Sequence, residues 1–197
     1  MRAAFPLPFV VVVPAVKPAA TLTRTGHIGV VATEASARGA YLRTLIAEHA
    51  QGKDVRAVGC PELVRLAEDG RLEGPIVEQS IRHSIQPMLD AGIDVLVLGC
   101  THFPAQRAAF ERVAGPEVAV IDSGAAIARQ TRRLLERDGL LASAASAARS
   151  TPRALTPRDE FWCSGEVASF EHAAAALLGE PITARHAPGL LIPPDAG

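Results

Sequence analysis

The chain has 197 residues, 48% of them hydrophobic, and its 20 basic and 21 acidic side chains leave a formal net charge of −1. That near-balance excludes the strong positive field on which binding to nucleic acid or to an anionic membrane surface depends. Three cysteines without regular spacing argue against a disulfide framework or a zinc ribbon, and suit a reducing, cytoplasmic setting with no metal site.

In chain order, Arg2 precedes an apolar stretch that ends near Val13-Pro14-Ala15, in the manner of a leader peptide. Pro6 and Pro8 interrupt it, and the remaining run from Phe9 to Val13 is shorter than the roughly seven apolar residues such a leader needs, so a buried strand is predicted there. No window approaches the roughly eighteen apolar residues of a membrane-spanning helix. Apolar runs at Ile28 to Ala32, Val55 to Val58, Val95 to Leu98 and Val118 to Ile121 alternate with longer amphipathic segments, the pattern of an α/β fold with a parallel sheet flanked by helices. Helices are predicted from Ala37 to Ala50, with Ser36 as N-cap and Tyr41, Leu42, Leu45 and Ile46 on one apolar face. Others run from Pro61 to Asp69, stopping at Gly70, and from Pro75 to Ala91, stopping at Gly92, with Pro87 expected to weaken the ladder. A further helix runs from Pro104 to Val113. Ser123 is placed to cap a helix reaching Arg137, whose Arg129, Arg132, Arg133 and Arg137 read as a solvated face. The stretch from Ala142 to Arg158 has few large apolar residues and is expected to be a mobile insertion. A short strand at Phe161 to Cys163, a helix from Glu166 to Leu178 and a proline-rich tail complete the chain.

The run Val95 to Leu98 ends in Gly99-Cys100-Thr101-His102-Phe103-Pro104. Groups at the carboxyl ends of parallel strands face the crevice where open α/β sheets bind ligands, so a thiol, a hydroxyl and an imidazole meet there. A free thiol titrates near about 8.5 and is a base only as thiolate. His102 and the positive end of a helix starting at Pro104 can supply the bias toward that form. A buried cysteine beside a loop histidine is the plainer alternative. Thr33 and Ser36 stand where they would cap a helix. Glu68, near the end of a predicted helix, reads by itself as a solvated residue.

Gly99-Cys100-Thr101-His102-Phe103-Pro104 resembles the Gly-Cys-Thr-His-Tyr/Phe-Pro signature of the glutamate racemases, which carries the second of their two catalytic cysteines. Other blocks follow in the same order. Val13-Pro14-Ala15-Val16-Lys17-Pro18-Ala19 is similar to the family's Val-Pro-Ala-x-Lys-Pro-Ala segment. Ile28 to Thr33 with Ser36 and Ala40-Tyr41 resembles its substrate-carboxylate loop, and Cys60-Pro61 with Val64 and Glu68 its Cys-Pro helix. Ile121-Asp122-Ser123-Gly124 and Cys163-Ser164-Gly165-Glu166 through Leu178-Gly179 resemble its last two blocks, with Cys163 where threonine is usual.

The resemblance implies cofactor-independent interconversion of L- and D-glutamate for peptidoglycan synthesis, without pyridoxal phosphate or metal. Cys100, His102 and Glu68 would be catalytic, and Thr33, Ser36 and Thr101 would hold the substrate. It implies the aspartate/glutamate racemase fold, with a complete domain at 25–121 inserted into a second, incomplete one made of 1–24 and 122–197, and it leaves room for a homodimer. The family's early Asp-Ser loop and the Cys-Asn-Thr turn with its first catalytic cysteine are not among these residues, so an impaired chain lacking about a third of a usual member is expected. Two alternatives remain open: a one-thiol relative of the decarboxylase kind, and a binding domain that keeps only the carboxylate pocket. Cys60 and Cys163 are expected to be structural.

Overall fold

Four strands, β1 (His27–Ala32), β2 (Asp54–Gly59), β3 (Val95–Leu98) and β4 (Ala119–Ile121), form one parallel sheet in the computed structural model, which describes residues 8–141 and 159–187. Their spatial order is β2-β1-β3-β4. The register pairs Ile28 with Val55 on one side and Val95 on the other, and Val95 in turn with Ala119.

Side chains alternate across the pleat, so each strand feeds two cores. Val31, Leu96 and Leu98 face α4 (Pro61–Glu68), α5 (Pro75–Leu89) and α6 (Arg107–Ala114), where they pack with Leu63, Ile81, Ile85 and Phe110. Ile28, Val30, Val95 and Val97 face the other way, onto Val16 and Ala19 of α1 (Val16–Leu22) and Leu42 of α3 (Ala40–His49). Gly29 lies on the first face, where a Cβ would meet Ile93 Cδ1 at 2.9 Å, so the absent side chain lets the chain around α5 settle against the sheet.

Between β1 and β2 stand α2 (Glu34–Arg38) and α3; after β4 come α7 (Gly124–Arg137), the parallel pair β5 (Phe161–Cys163) and β6 (Ala184–His186), and α8 (Val167–Leu178). Because β2 lies on one side of β1 and β3 on the other, the connections diverge between β1 and β3. That divergence opens a crevice at the carboxyl ends of those two strands.

Several expected elements differ. Residues 9–13 form no strand: among the described residues no ladder runs beside them, and Val11 and Val12 stand more than half exposed. The helix expected at 37–50 is two helices broken at Gly39, and Thr33, not Ser36, is the N-cap, its Oγ1 accepting from Ser36 N at 3.2 Å. The α-helix expected from Pro104 begins at Arg107, after a 3-10 turn over Phe103–Gln106. Ser123 makes no side-chain cap for α7; its hydroxyl donates to the Val13 carbonyl, and Asp122 Oδ1 instead accepts from Gly124 N at 2.6 Å. The short helix α1 and the strand β6 are additions. The expected insertion at 142–158, the opening residues 1–7 and the last ten residues of the tail lie outside the described residues. Among the described residues, no helix is long and apolar enough to cross a membrane.

Candidate active site

The crevice between β1 and β3 receives Thr33 from one strand end and Gly99-Cys100-Thr101 from the other. Gly99 N continues the ladder by donating to Val31 O at 2.7 Å, and a Cβ there would press within 3.0 Å of that same oxygen, so glycine lets the chain hug β1 before it turns away. Phe103 N then donates to Cys100 O at 3.3 Å, closing the first turn. This tight turn sets residues two apart against each other. Cys100 Sγ lies 3.4 Å from His102 Nδ1, and the opposite ring nitrogen, Nε2, lies 3.4 Å from Glu68 Oε1 at the end of α4.

Thr33, Ser36, Cys100 and Thr101 line one cavity of about 520 Å3, together with Val12, Pro14 and Tyr41. The Thr33 hydroxyl donates to Ser36 Oγ at 2.9 Å while accepting from the Ser36 amide, so both hydroxyls are held at the mouth of α2. The approach of α2 to the sheet is close: a Cβ on Gly59 would sit 2.6 Å from Glu34 Cα.

His102 and Glu68 line a neighbouring cavity of about 510 Å3, closed on its far side by Ser169, Phe170 and Ala173 of α8. Thr101 belongs to both cavities. A third, smaller space of about 140 Å3 places Cys100 and Thr101 beside Asp122 and Ser123. Arg107 shapes that wall, donating to Val120 O at 2.7 Å and to the Asp122 carboxylate, and its guanidinium holds Asp122 below the usual carboxylate range against the opposing effect of burial.

The other five residues singled out from the sequence therefore lie around Cys100, in two cavities that share Thr101. The walls from Pro14, from the Asp122 loop and from α8 fall in blocks that the resemblance marked, but no residue in them was singled out for the site, since tertiary packing brings each of them, with Val12, to Cys100. Cys60 and Cys163 are buried and line none of these three cavities. Burial pushes the Cys60 thiol up, a neighbouring Ser84 opposing and the Cys100 sulfur adding to the shift, which makes it a poor nucleophile.

Chemically, a half-buried thiol touching an imidazole that is backed by a carboxylate is a unit for moving a proton. Hydroxyls and N–H groups at a helix entry on the same cavity suit an anionic group of a small substrate.

Known proteins resemble this chain over most of its length. The Asp/Glu/Hydantoin racemase family model matches residues 1–131. The glutamate racemase of Herpetosiphon aurantiacus is 44% identical over 141 residues, which cover 72% of this chain and 56% of that protein. That of Pseudomonas aeruginosa is 38% identical over 182 residues, covering 92% and 65%. Among solved structures, Escherichia coli glutamate racemase in complex with L-glutamate and the activator UDP-MurNAc-ala superposes with a TM-score of 0.73 at 31% identity, over 94% of this chain and 66% of that one. A glutamate racemase isoform from Bacillus anthracis gives 0.72 at 27% identity over the same shares. The chain thus spans 56% and 65% of the length of these two curated relatives.

Proposed function

Since the chain belongs to the Asp/Glu/Hydantoin racemase family, we propose that it is a glutamate racemase polypeptide in which Cys100 carries one of the two proton transfers. The observation that carries this reading is the contact run from Cys100 Sγ through His102 to Glu68, at the rim of a cavity also lined by Thr33 and Ser36.

In this mechanism the S–H proton of Cys100 passes to His102 Nδ1, which is free to accept it when the ring hydrogen is on Nε2, facing Glu68. The thiolate then takes the α-proton of glutamate; the C–H bond breaks, its electron pair stays on the carbon, and the S–H bond re-forms. The charge that develops spreads into the α-carboxylate, where Thr33, Ser36 and Thr101 present hydroxyls and amides to it. Inversion requires a second donor on the opposite face of the planar carbanion, and neither Cys60 nor Cys163 lines the cavities around Cys100. Exchange of the α-hydrogen is therefore the reaction this chain performs by itself, with net racemisation slow. Residues 1–24 and 122–197 would form one lobe around a domain at 25–121, and the product D-glutamate would serve peptidoglycan synthesis.

The test is incubation of the chain with L-glutamate, and separately L-aspartate, in deuterated water, followed by proton NMR of the α-position and chiral chromatography. Deuterium entering glutamate faster than aspartate, with little D-isomer, is the expected result. Absence of exchange in both substrates would overturn the reading.

A further inference from the structure

Gln106 is the one side chain among the described residues with a fully buried polar atom that has no partner, its Oε1. The residue is wholly enclosed at the end of the 3-10 turn that begins just after His102. Its amide nitrogen donates to Leu63 O at 3.2 Å and to Arg71 O at 3.3 Å. Those two carbonyls cannot donate, so the amide must present its nitrogen to them, and the orphan oxygen follows from that orientation.

The positions of the two carbonyls decide what the residue does. Leu63 lies in α4, and Arg71 follows the turn that ends it, where Gly70 adopts a φ of +71°. Glu68 lies between them. The turn carrying His102 thus grips the backbone on either side of the carboxylate that faces His102 Nε2. Nothing else described joins these two pieces by a polar side chain so directly: Glu68 itself is exposed and His102 half-buried, so their approach depends on the backbones that bear them. An apolar side chain of equal size would fill the space without a stranded oxygen.

We infer that Gln106 is a positioning residue that sets the distance between Glu68 and His102 and so fixes which nitrogen of the His102 ring carries hydrogen. This rests on the reading of Cys100, His102 and Glu68 as a proton-transfer unit. A carboxylate oxygen beside Nε2 favours hydrogen on that nitrogen and leaves Nδ1 as an acceptor toward Cys100. When the grip on α4 is released, the ring loses that bias.

The experiment is long-range 1H–15N NMR of the His102 imidazole in the intact chain in alkaline solution, with signals assigned by a His102→Asn variant. Wild type is expected to show a single tautomer with hydrogen on Nε2. Glu68→Gln should give mixed tautomers; Gln106→Leu should do so to a similar degree, and the double variant no further. Gln106→Met, a flexible side chain of similar length, repeats the test should the leucine variant fail to fold. A single Nε2–H tautomer in folded Gln106→Leu or Gln106→Met, with Glu68→Gln mixed, overturns the positioning role and leaves the proton-transfer reading standing. An unchanged ring in Glu68→Gln overturns both, because there is then no coupling to position.

Discussion

Cys100 and His102 meet at 3.4 Å because the chain, just after β3, closes a turn in which Phe103 N donates to Cys100 O, folding residue 102 back over residue 100. An α-helix starting at the same place would direct them differently. The predicted consequence is that His102→Asn lowers the rate of α-hydrogen exchange by about 10² to 10⁴, the usual contribution of a positioned acid–base group. Iodoacetamide labelling of Cys100, resolved from Cys60 and Cys163 by peptide mass spectrometry, should slow in parallel.

Gly59 backs α2, on the Thr33 side of the cavity. Its missing Cβ lets Glu34 approach so closely that an alanine would have to displace backbone, not a side-chain tip. Gly59→Ala is expected to cost about 1–3 kcal/mol as overpacking. By pushing α2 and its cap Thr33 outward it should also weaken glutamate binding more than it slows exchange at saturating substrate. Denaturant titration and the concentration dependence of exchange check the two effects.

Asp94 ties the chain before β1 to the start of β3. Burial would raise its carboxyl, but the Thr23 hydroxyl at 2.5 Å and the Arg24 and Thr25 amides at 2.6 and 3.1 Å overcome that and hold it at about 2, against the usual 3.8. A folded value below the unfolded one gives stability that is fully present above about pH 4 and is lost as pH falls through about 2. Asp94→Asn should therefore be less stable than wild type by about 2 kcal/mol near neutrality. That gap should close as the pH of a denaturant titration is lowered from 4 toward 2.

Arg107 fastens α6 to the end of β4 and to the Asp122 loop that flanks Cys100. Its side chain is about a third exposed, so solvent screening keeps its worth small. Arg107→Met should cost about 1 kcal/mol. Lysine should not rescue it fully, because a single ammonium cannot reach the carbonyl and the carboxylate with the same fork. Thermal unfolding of the two variants against wild type measures this.

Much of this architecture could be read from the residues. The strands β1 and β3 announce themselves as β-branched runs closed by turns, and Gly70 and Gly92 mark where α4 and α5 stop. The motif ending at Pro104 points to the candidate site, because a polar cluster after a buried parallel strand has one place to go. What escaped depends on partners distant in sequence. The run Phe9 to Val13 has the composition of a strand, yet without a ladder it serves as cavity wall through Val12. The strand β6 is three residues, Ala184–His186, with no pattern of their own, and exists by pairing with β5. Thr33 and Ser36 both suit a cap, and Thr33 takes it because α2 begins at Glu34, three residues before the predicted start. Gln106 looks like any polar residue in a helix, and its burial between α4 and the turn is invisible until both are placed.

In the proposed mechanism hydrogen leaves and returns to glutamate at the sulfur of Cys100. That step is tested most directly by comparing wild type with Cys100→Ala for deuterium incorporation at the α-carbon of L-glutamate in deuterated water, with both proteins verified as folded. Wild type should incorporate deuterium and the alanine variant should not rise above the enzyme-free rate; equal incorporation by the two would contradict the account.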